Sequence, residues 1–491
     1  MSEMFMNAMA TSTNTALTEN GGVAFATTKS AMLDFFAMGG ALRHRDDKEV
    51  VSMLSMAMGE DKLNAIRAMF YFRDARGGQG ERDTFRKQLK WLAVTHPEIV
   101  KANIDLIADY GRWDDLYTLF DTSLEKDAID VFARQLARDM HAERPSLLAK
   151  WLKSENTSSK ESVRLARATR KGLGMTPQVY RKVLSGLRKQ INIVERLISS
   201  NQWSEVNYSA VPSQANMKYK SAFYKHDTER RLQFIESVKK GEAKINASTL
   251  YPYEIVRDAQ KLEWDAEAHS KDVTNALWAA LPDYIGDANV NALAVVDVSG
   301  SMTGLPMQVS ISLGMYLAER NKSEAYRNKF ITFSSSPELV TIQGDTFVER
   351  VHNMGRAAWE MNTDIVKVFD LILDVAVKNK LTQEEIPSKL FIISDMEFDD
   401  ASYSEVDEKI FEMIARKFSD AGYQLPFLVF WNVDSRNTQV PMSMDQRGFQ
   451  MVSGCSPSIF TNVLKGTTLT AYELMLEVLG VERYQPIKIG S

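Results

Sequence analysis

Three short stretches of a 491-residue chain carry oxygen ligands in a pattern that suits a hard cation. Asp297-Val298-Ser299-Gly300-Ser301 is a D-x-S-x-S sequence, one carboxylate and two hydroxyls at alternate positions. Asn362-Thr363-Asp364 precedes a long amphipathic stretch, which sets Thr363 at a helix N-terminus. Asp395 follows the apolar run KLFIIS. Two Ser hydroxyls, a Thr hydroxyl and two carboxylates are what Mg2+ or Mn2+ requires, with water completing an octahedron. So few charged ligands leave the ion electrophilic, with an open position for a partner's carboxylate or phosphate. The plainer alternative is that Ser299 and Ser301 cap a helix while Asp297 accepts backbone hydrogens. After Asp395, the segment Met396-Glu397-Phe398-Asp399-Asp400 adds carboxylates. They read as a solvated loop rather than a second metal site, because two-metal catalysis needs a clearer ligand set.

Such residues need strand ends to hold them. From about 285 onward, buried-looking strands (NALAVV, KFITF, KLFIIS, QLPFLVFWNVD, FQMVS) alternate with amphipathic helices, including one over 405–421. That alternation indicates a parallel, doubly wound α/β sheet. Ligands of such sheets bind outside the carboxyl ends of the strands. Before it, residues 28–280 place apolar residues at i, i+3, i+4 and i+7 almost throughout, which is helical spacing. The breaks are Gly39-Gly40, Gly77-Gly78-Gln79-Gly80, His96-Pro97 and Gly111. Short breaks between amphipathic helices make stacked hairpins, a HEAT-like solenoid or curved bundle without a clean sequence period. The expected division is a flexible arm over 1–25, docked at its end by Met4 and Phe5, a helical repeat domain over 26–285 and the α/β domain over 286–491.

Charge divides the same way. The net charge is -5, but residues 288–491 hold 18 basic against 26 acidic residues, a balance of -8. Residues 144–240 hold 20 basic against 7 acidic, a balance of +13. A stretch this basic in an acidic chain suits a polyanionic partner; solvated helix faces are the bland alternative. The candidate RNA contacts are Arg167, Arg170, Lys171, Arg181, Lys182, Arg188, Lys189, Lys218, Lys220, Lys225, Arg230 and Arg231. Tyr219, Phe223 and Tyr224 interleave the later ones, either to stack on bases or to pack in the core. Arg73 and Arg76 are expected to pair with nearby carboxylates (Asp74, Glu81, Asp114 or Asp115) rather than to touch RNA. Gly77 to Gly80 is expected to be a helix–helix turn and Trp113 a core residue.

Other chemistry lacks its residues. A single cysteine, Cys455, excludes an intrachain disulfide framework and any Cys-based zinc site. Six scattered histidines form no HExxH pair, and there is no Walker sequence and no G-x-S-x-G elbow. With no apolar run of spanning length and no basic n-region at the start, a soluble, cytoplasmic protein without membrane contact is expected.

The three-part oxygen pattern resembles the metal-ion-dependent adhesion site of von Willebrand factor type A domains. Met396 stands where many such domains have Gly. Phe70–Arg82 and Tyr110–Leu116 resemble recurrent segments of TROVE modules, the Ro autoantigen type. They are still more similar to a related domain-of-unknown-function family of the same two-part build. Tyr180-Arg181-Lys182, residues 211–223 and Lys244–Ala247 also resemble that family, so the likeness runs from about 20 to 485. It implies helical repeats closed into a ring by the A-type domain, binding single-stranded ends of defective noncoding RNA and small structured RNAs. The expectation is therefore a non-catalytic RNA-binding protein, a ribonucleoprotein component, with a Mg2+ or Mn2+ site. A second reading is a protein-interaction module whose metal captures a partner's carboxylate. A distant third is a metal-dependent nuclease using Asp395, Glu397 and Asp399.

Overall fold

The computed structural model describes residues 14–191, 193–262, 267–287, 291–333, 337–354, 364–399, 410–464 and 469–490. The first half is helical, and its helices start where polar residues precede apolar-periodic runs. Ser30, Asp46, Asp61 and Thr176 each accept a backbone N–H from the first turn of helices Ala31–Met38, Asp47–Glu60, Lys62–Arg73 and Pro177–Gln190. Pro97 opens Pro97–Asn103, where its missing N–H loses no helical bond. The Gly77–Gly80 segment is a turn: the N–H groups of Gly78 and Gly80 both donate to the Asp74 carbonyl. Gly80 has φ +67°, and a Cβ there would lie 1.9 Å from the Tyr251 hydroxyl, so only glycine fits.

Ahead of the helices, strands β1 (Thr15–Leu17) and β2 (Val23–Phe25) pair as an antiparallel hairpin. The flexible-arm expectation is thus corrected for residues 14–25. Residues 1–13, with Met4 and Phe5, lie outside the described residues.

The second half is built on a six-stranded sheet: β3 (Ala292–Val296), β4 (Lys329–Thr332), β5 (Leu339–Thr341), β6 (Lys389–Ser394), β7 (Phe427–Asn432) and β8 (Phe449–Ser453). Its order is β5-β4-β3-β6-β7-β8. All neighbours are parallel except β5, which runs antiparallel to β4. A wholly parallel sheet was expected; the short edge strand β5, half exposed, lacks the continuous apolar run that marks the buried strands. From β3 the chain passes to β4 on one side and later to β6 on the other. The carboxyl ends of β3 and β6 therefore flank the point where strand order reverses, the usual ligand crevice of an open α/β sheet.

The helices clasp this sheet from both faces. One apolar cluster joins Phe36, Tyr71 and Phe72 to Leu390, Phe430 and Phe449. A second joins Val256, Leu277 and Trp278 to Phe391, Val429 and Trp431. Successive strand residues point to opposite faces, so the helical run begins on one face and ends on the other. Its two ends also meet, through a hydrogen bond of 3.0 Å from the Tyr251 hydroxyl to the Gln79 carbonyl. The C-terminal segment returns to the first helices, where Arg483 and Tyr484 both bond Asp74.

Candidate functional site

At the reversal point, Asp297 and Asp395 lie just past the ends of β3 and β6, and both are almost fully buried. Asp297 accepts hydrogen bonds from the Ser299 backbone N–H at 2.9 Å and from the Ser394 hydroxyl. The Ser299 and Ser301 hydroxyls sit 3.0 Å apart. Burial, reinforced by the neighbouring Asp395 charge, pushes the Asp297 carboxyl well above its usual range. Two buried carboxylates facing each other with two hydroxyls are a donor set that a hard divalent cation would relieve of its repulsion. The residues fit such an ion in that respect. Among the described residues no three His, Cys, Asp or Glu side chains cluster as metal ligands, so two carboxylates are all the charge the site supplies. Thr363 lies outside the described residues; Asp364 caps the helix Ile365–Asn379 by accepting the Lys367 N–H.

A cation is already present, and it is an arginine. Arg436, just beyond β7, donates to Asp395 Oδ2 at 2.6 Å and pairs with Glu19 at 3.1 Å. Glu19 belongs to the turn between β1 and β2, so the N-terminal hairpin lies against the crevice. The Thr18 hydroxyl donates to the Phe398 carbonyl and the Asn20 amide to the Glu397 carbonyl, which fixes that turn in place. From the helical half, Arg45 donates to the Arg436 carbonyl and the Ala41 carbonyl accepts from Ser435 N–H. Neither Arg436 nor Glu19 stands out in the sequence, since each is an isolated charge far from the D-x-S-x-S motif.

Glu397 of the acidic segment after β6 is not solvated, contrary to expectation; Asp399 is partly buried and Asp400 lies outside the described residues. Glu397 is 1% exposed and its carboxylate accepts from Glu19 N–H, Asn437 and Gln439. Three donors engage both oxygens, Oε1 twice and Oε2 once, so the carboxylate is held by protein groups rather than by solvent. Met396 has φ +68°, a conformation that favours glycine. Its side chain is buried, and core packing offsets the backbone strain of about 1–3 kcal/mol.

The basic stretch separates into two groups. Arg170 bonds Glu155, Lys220 bonds Asp258, and Arg230 bonds Asp227 with the Trp203 and Val206 carbonyls. Arg188 holds the Ala149 and Leu152 carbonyls and the Ser154 hydroxyl. Arg231 is 1% exposed among the rings of Tyr208, Phe223 and Phe234, and burial draws its pKa down to about 10. These five are scaffold residues, which corrects their assignment to RNA. Phe223 is core, and Tyr224 stacks on His269 at 3.5 Å. Arg167, Lys171, Arg181, Lys182, Lys189, Lys218 and Lys225 are exposed. Lys160, Arg164, Arg167 and Lys171 recur at i, i+4, i+7 and i+11 along helix Lys160–Gly172, hence on one face. With Thr157 and Ser158 they line an open groove of about 880 Å³.

The model of a domain of unknown function, DUF2828, matches residues 18–172 and 146–289. The chain belongs to this family. A second domain of unknown function, DUF7788, matches residues 291–483, the sheet-bearing part that follows the DUF2828 region. An uncharacterized protein of Acanthamoeba polyphaga mimivirus is 30% identical over 97% of this chain and 89% of its own length. The crystal structure of the Deinococcus radiodurans Ro (RSR) protein aligns with 89% of this DUF2828 chain and 99% of its own, at 14% identity and a TM-score of 0.41. Among the described residues no helix is long and apolar enough to cross a membrane.

Proposed function

We propose that this DUF2828 protein is a non-catalytic RNA-binding protein of the Ro type, acting in the cytoplasm. Its helical half would hold structured or defective noncoding RNA, and its sheet half would be an A-type domain with a Mg2+ or Mn2+ site. The observation that carries the RNA reading is the single-faced row Lys160, Arg164, Arg167 and Lys171 beside an open groove. Arg164 is tied to Glu161 and Asp121, so Arg167 and Lys171 are the cations ready to meet phosphate. Lys182 and Lys189, at helical spacing on the next helix, extend the same chemistry. Point charges on flexible stems grip a backbone without reading sequence, which suits a protein that recognises RNA by shape and by free ends.

The metal reading rests on Asp297, Ser299, Ser301 and Asp395 at the reversal point of the sheet, with Thr363 as the fifth proposed ligand. A nuclease is disfavoured because Glu397 is buried and already held by three protein donors, a structural rather than a catalytic setting.

Filter binding of single-stranded RNA over a salt series tests the function. Each phosphate contact releases counterions, so wild-type affinity should fall steeply with salt. Arg167→Ala/Lys171→Ala should weaken binding and flatten the log–log slope by about 0.7 per lost contact. RNA should stay intact with Mn2+ throughout. Salt-insensitive binding unchanged in this variant, or metal-dependent cleavage, would overturn the reading.

A further inference from the structure

Both oxygens of Asp395 are already engaged in this structure. Its Oδ1 accepts the Glu397 N–H at 3.1 Å and its Oδ2 accepts Arg436 at 2.6 Å. A divalent cation approaching Asp395 therefore meets a guanidinium already bound there. Two cations on one nearly buried carboxylate repel strongly, because little solvent lies between them. The Arg436 side chain is 29% exposed, and its buried Nε has no hydrogen-bond partner among the described residues. It already holds a second carboxylate, Glu19 at 3.1 Å through its other terminal nitrogen, and Glu19 is 46% exposed. Glu19 itself is anchored through its backbone N–H to Glu397, so its carboxylate stays at hand wherever Arg436 goes.

We propose that Arg436 is a built-in counter-cation that competes with the divalent ion for Asp395, and that Glu19 is the carboxylate that receives Arg436 when the ion binds. The inference rests on the metal site proposed above and adds the residues that set its affinity. Arg436 offsets one of the crevice's carboxylate charges while no ion is bound. The ion enters by displacing a group that is retained nearby rather than released to solvent. The two residues then have opposite effects. Removing Arg436 relieves the competition, and removing the Glu19 charge leaves Asp395 as the sole acceptor for Arg436 and strengthens it.

The test is Mn2+ binding to the full-length protein by calorimetry and by electron paramagnetic resonance of free Mn2+. Arg436→Met should tighten binding by about tenfold, the loss of one nearby competing charge. Arg436→Lys keeps the charge and should bind as weakly as wild type. Glu19→Gln, checked for folding by circular dichroism, should weaken binding several-fold. Asp297→Ala, checked for folding by circular dichroism, should abolish the signal. Equal affinities in wild type, Arg436→Met and Glu19→Gln overturn the competition while leaving the metal site standing. Mn2+ binding that survives Asp297→Ala, or no binding by any variant, overturns the metal reading and this inference with it.

Discussion

Asp115 shows how much a single buried charge can decide. Its carboxylate is fully buried and bonds Arg73, itself 3% exposed, at 2.7 Å, while Arg86 approaches the other oxygen at 2.7 Å. It also accepts the Arg112 backbone N–H. Asp115→Ala would strand Arg73 in the interior, and a stranded buried charge costs about 3–5 kcal/mol. Urea unfolding should show that loss; a change under about 1 kcal/mol would mean that Arg73 finds another partner. The neighbouring pair Arg76–Asp109 is more than half exposed on both sides, so Asp109→Ala should cost less than about 1 kcal/mol. The same residue types, a few positions apart, thus differ in consequence because of burial alone. Whether Arg73 and Arg76 meet carboxylates was readable from their setting among Asp and Gly residues. Which carboxylate each meets, Asp115 or Asp109, was not, because both lie on a later turn of chain.

The helical hairpin of Lys160–Gly172 and Pro177–Gln190 separates two kinds of arginine that look identical in sequence. Arg188 reaches back to segment Leu148–Ser154 and satisfies two carbonyls and a hydroxyl there. Those carbonyls lie in and just after the short helix Leu148–Trp151, where a helix end leaves them unpaired, so Arg188 does for them what further helix would do. Burial lowers its pKa, yet it stays charged at neutral pH. Arg188→Ala should destabilise the protein by about 2 kcal/mol, since hydrogen bonds from a charged donor are worth more than neutral ones. Thermal unfolding checks this, and at a temperature where the variant is folded its RNA affinity should match wild type. A wild-type melting curve with reduced RNA affinity would return Arg188 to the RNA surface. Helical spacing identified these helices correctly, but the count of basic residues overstated the available surface because five of twelve face carboxylates, carbonyls or rings.

At the scale of the whole molecule, neither half is self-sufficient. Phe36 and Phe72 of the helices share an apolar cluster with Phe430 and Phe449 of the sheet, and Arg483 and Tyr484 bond Asp74. Unfolding should accordingly be a single cooperative transition by calorimetry, with both halves lost together. A chain cut after residue 287 would expose that cluster and lose the Asp74 partners. It should be poorly soluble or partly unfolded, so RNA binding is to be measured on the full-length chain. Two separate transitions, or a well-folded 1–287 fragment, would refute this.

Local pattern determined the helices, the buried strands β3, β6, β7 and β8, and the positions of Asp297 and Asp395 at strand ends. Those features follow from periodicity and from runs of apolar residues, which a chain carries residue by residue. Tertiary structure alone decided that β5 turns antiparallel, that the turn bearing Glu19 docks at the crevice, and that Arg436 reaches Asp395. It also decided that Glu397, which looks solvated in a string of five residues with three carboxylates, is buried and held by three donors. The physical reason, for the Glu19, Arg436 and Glu397 contacts, is that they join segments 40 to nearly 400 residues apart; β5 follows β4 closely, and its pairing direction is set by its place at the sheet edge. No local propensity encodes such meetings; they are set by which surfaces, summed over the whole chain, exclude the most water while leaving each buried charge a partner.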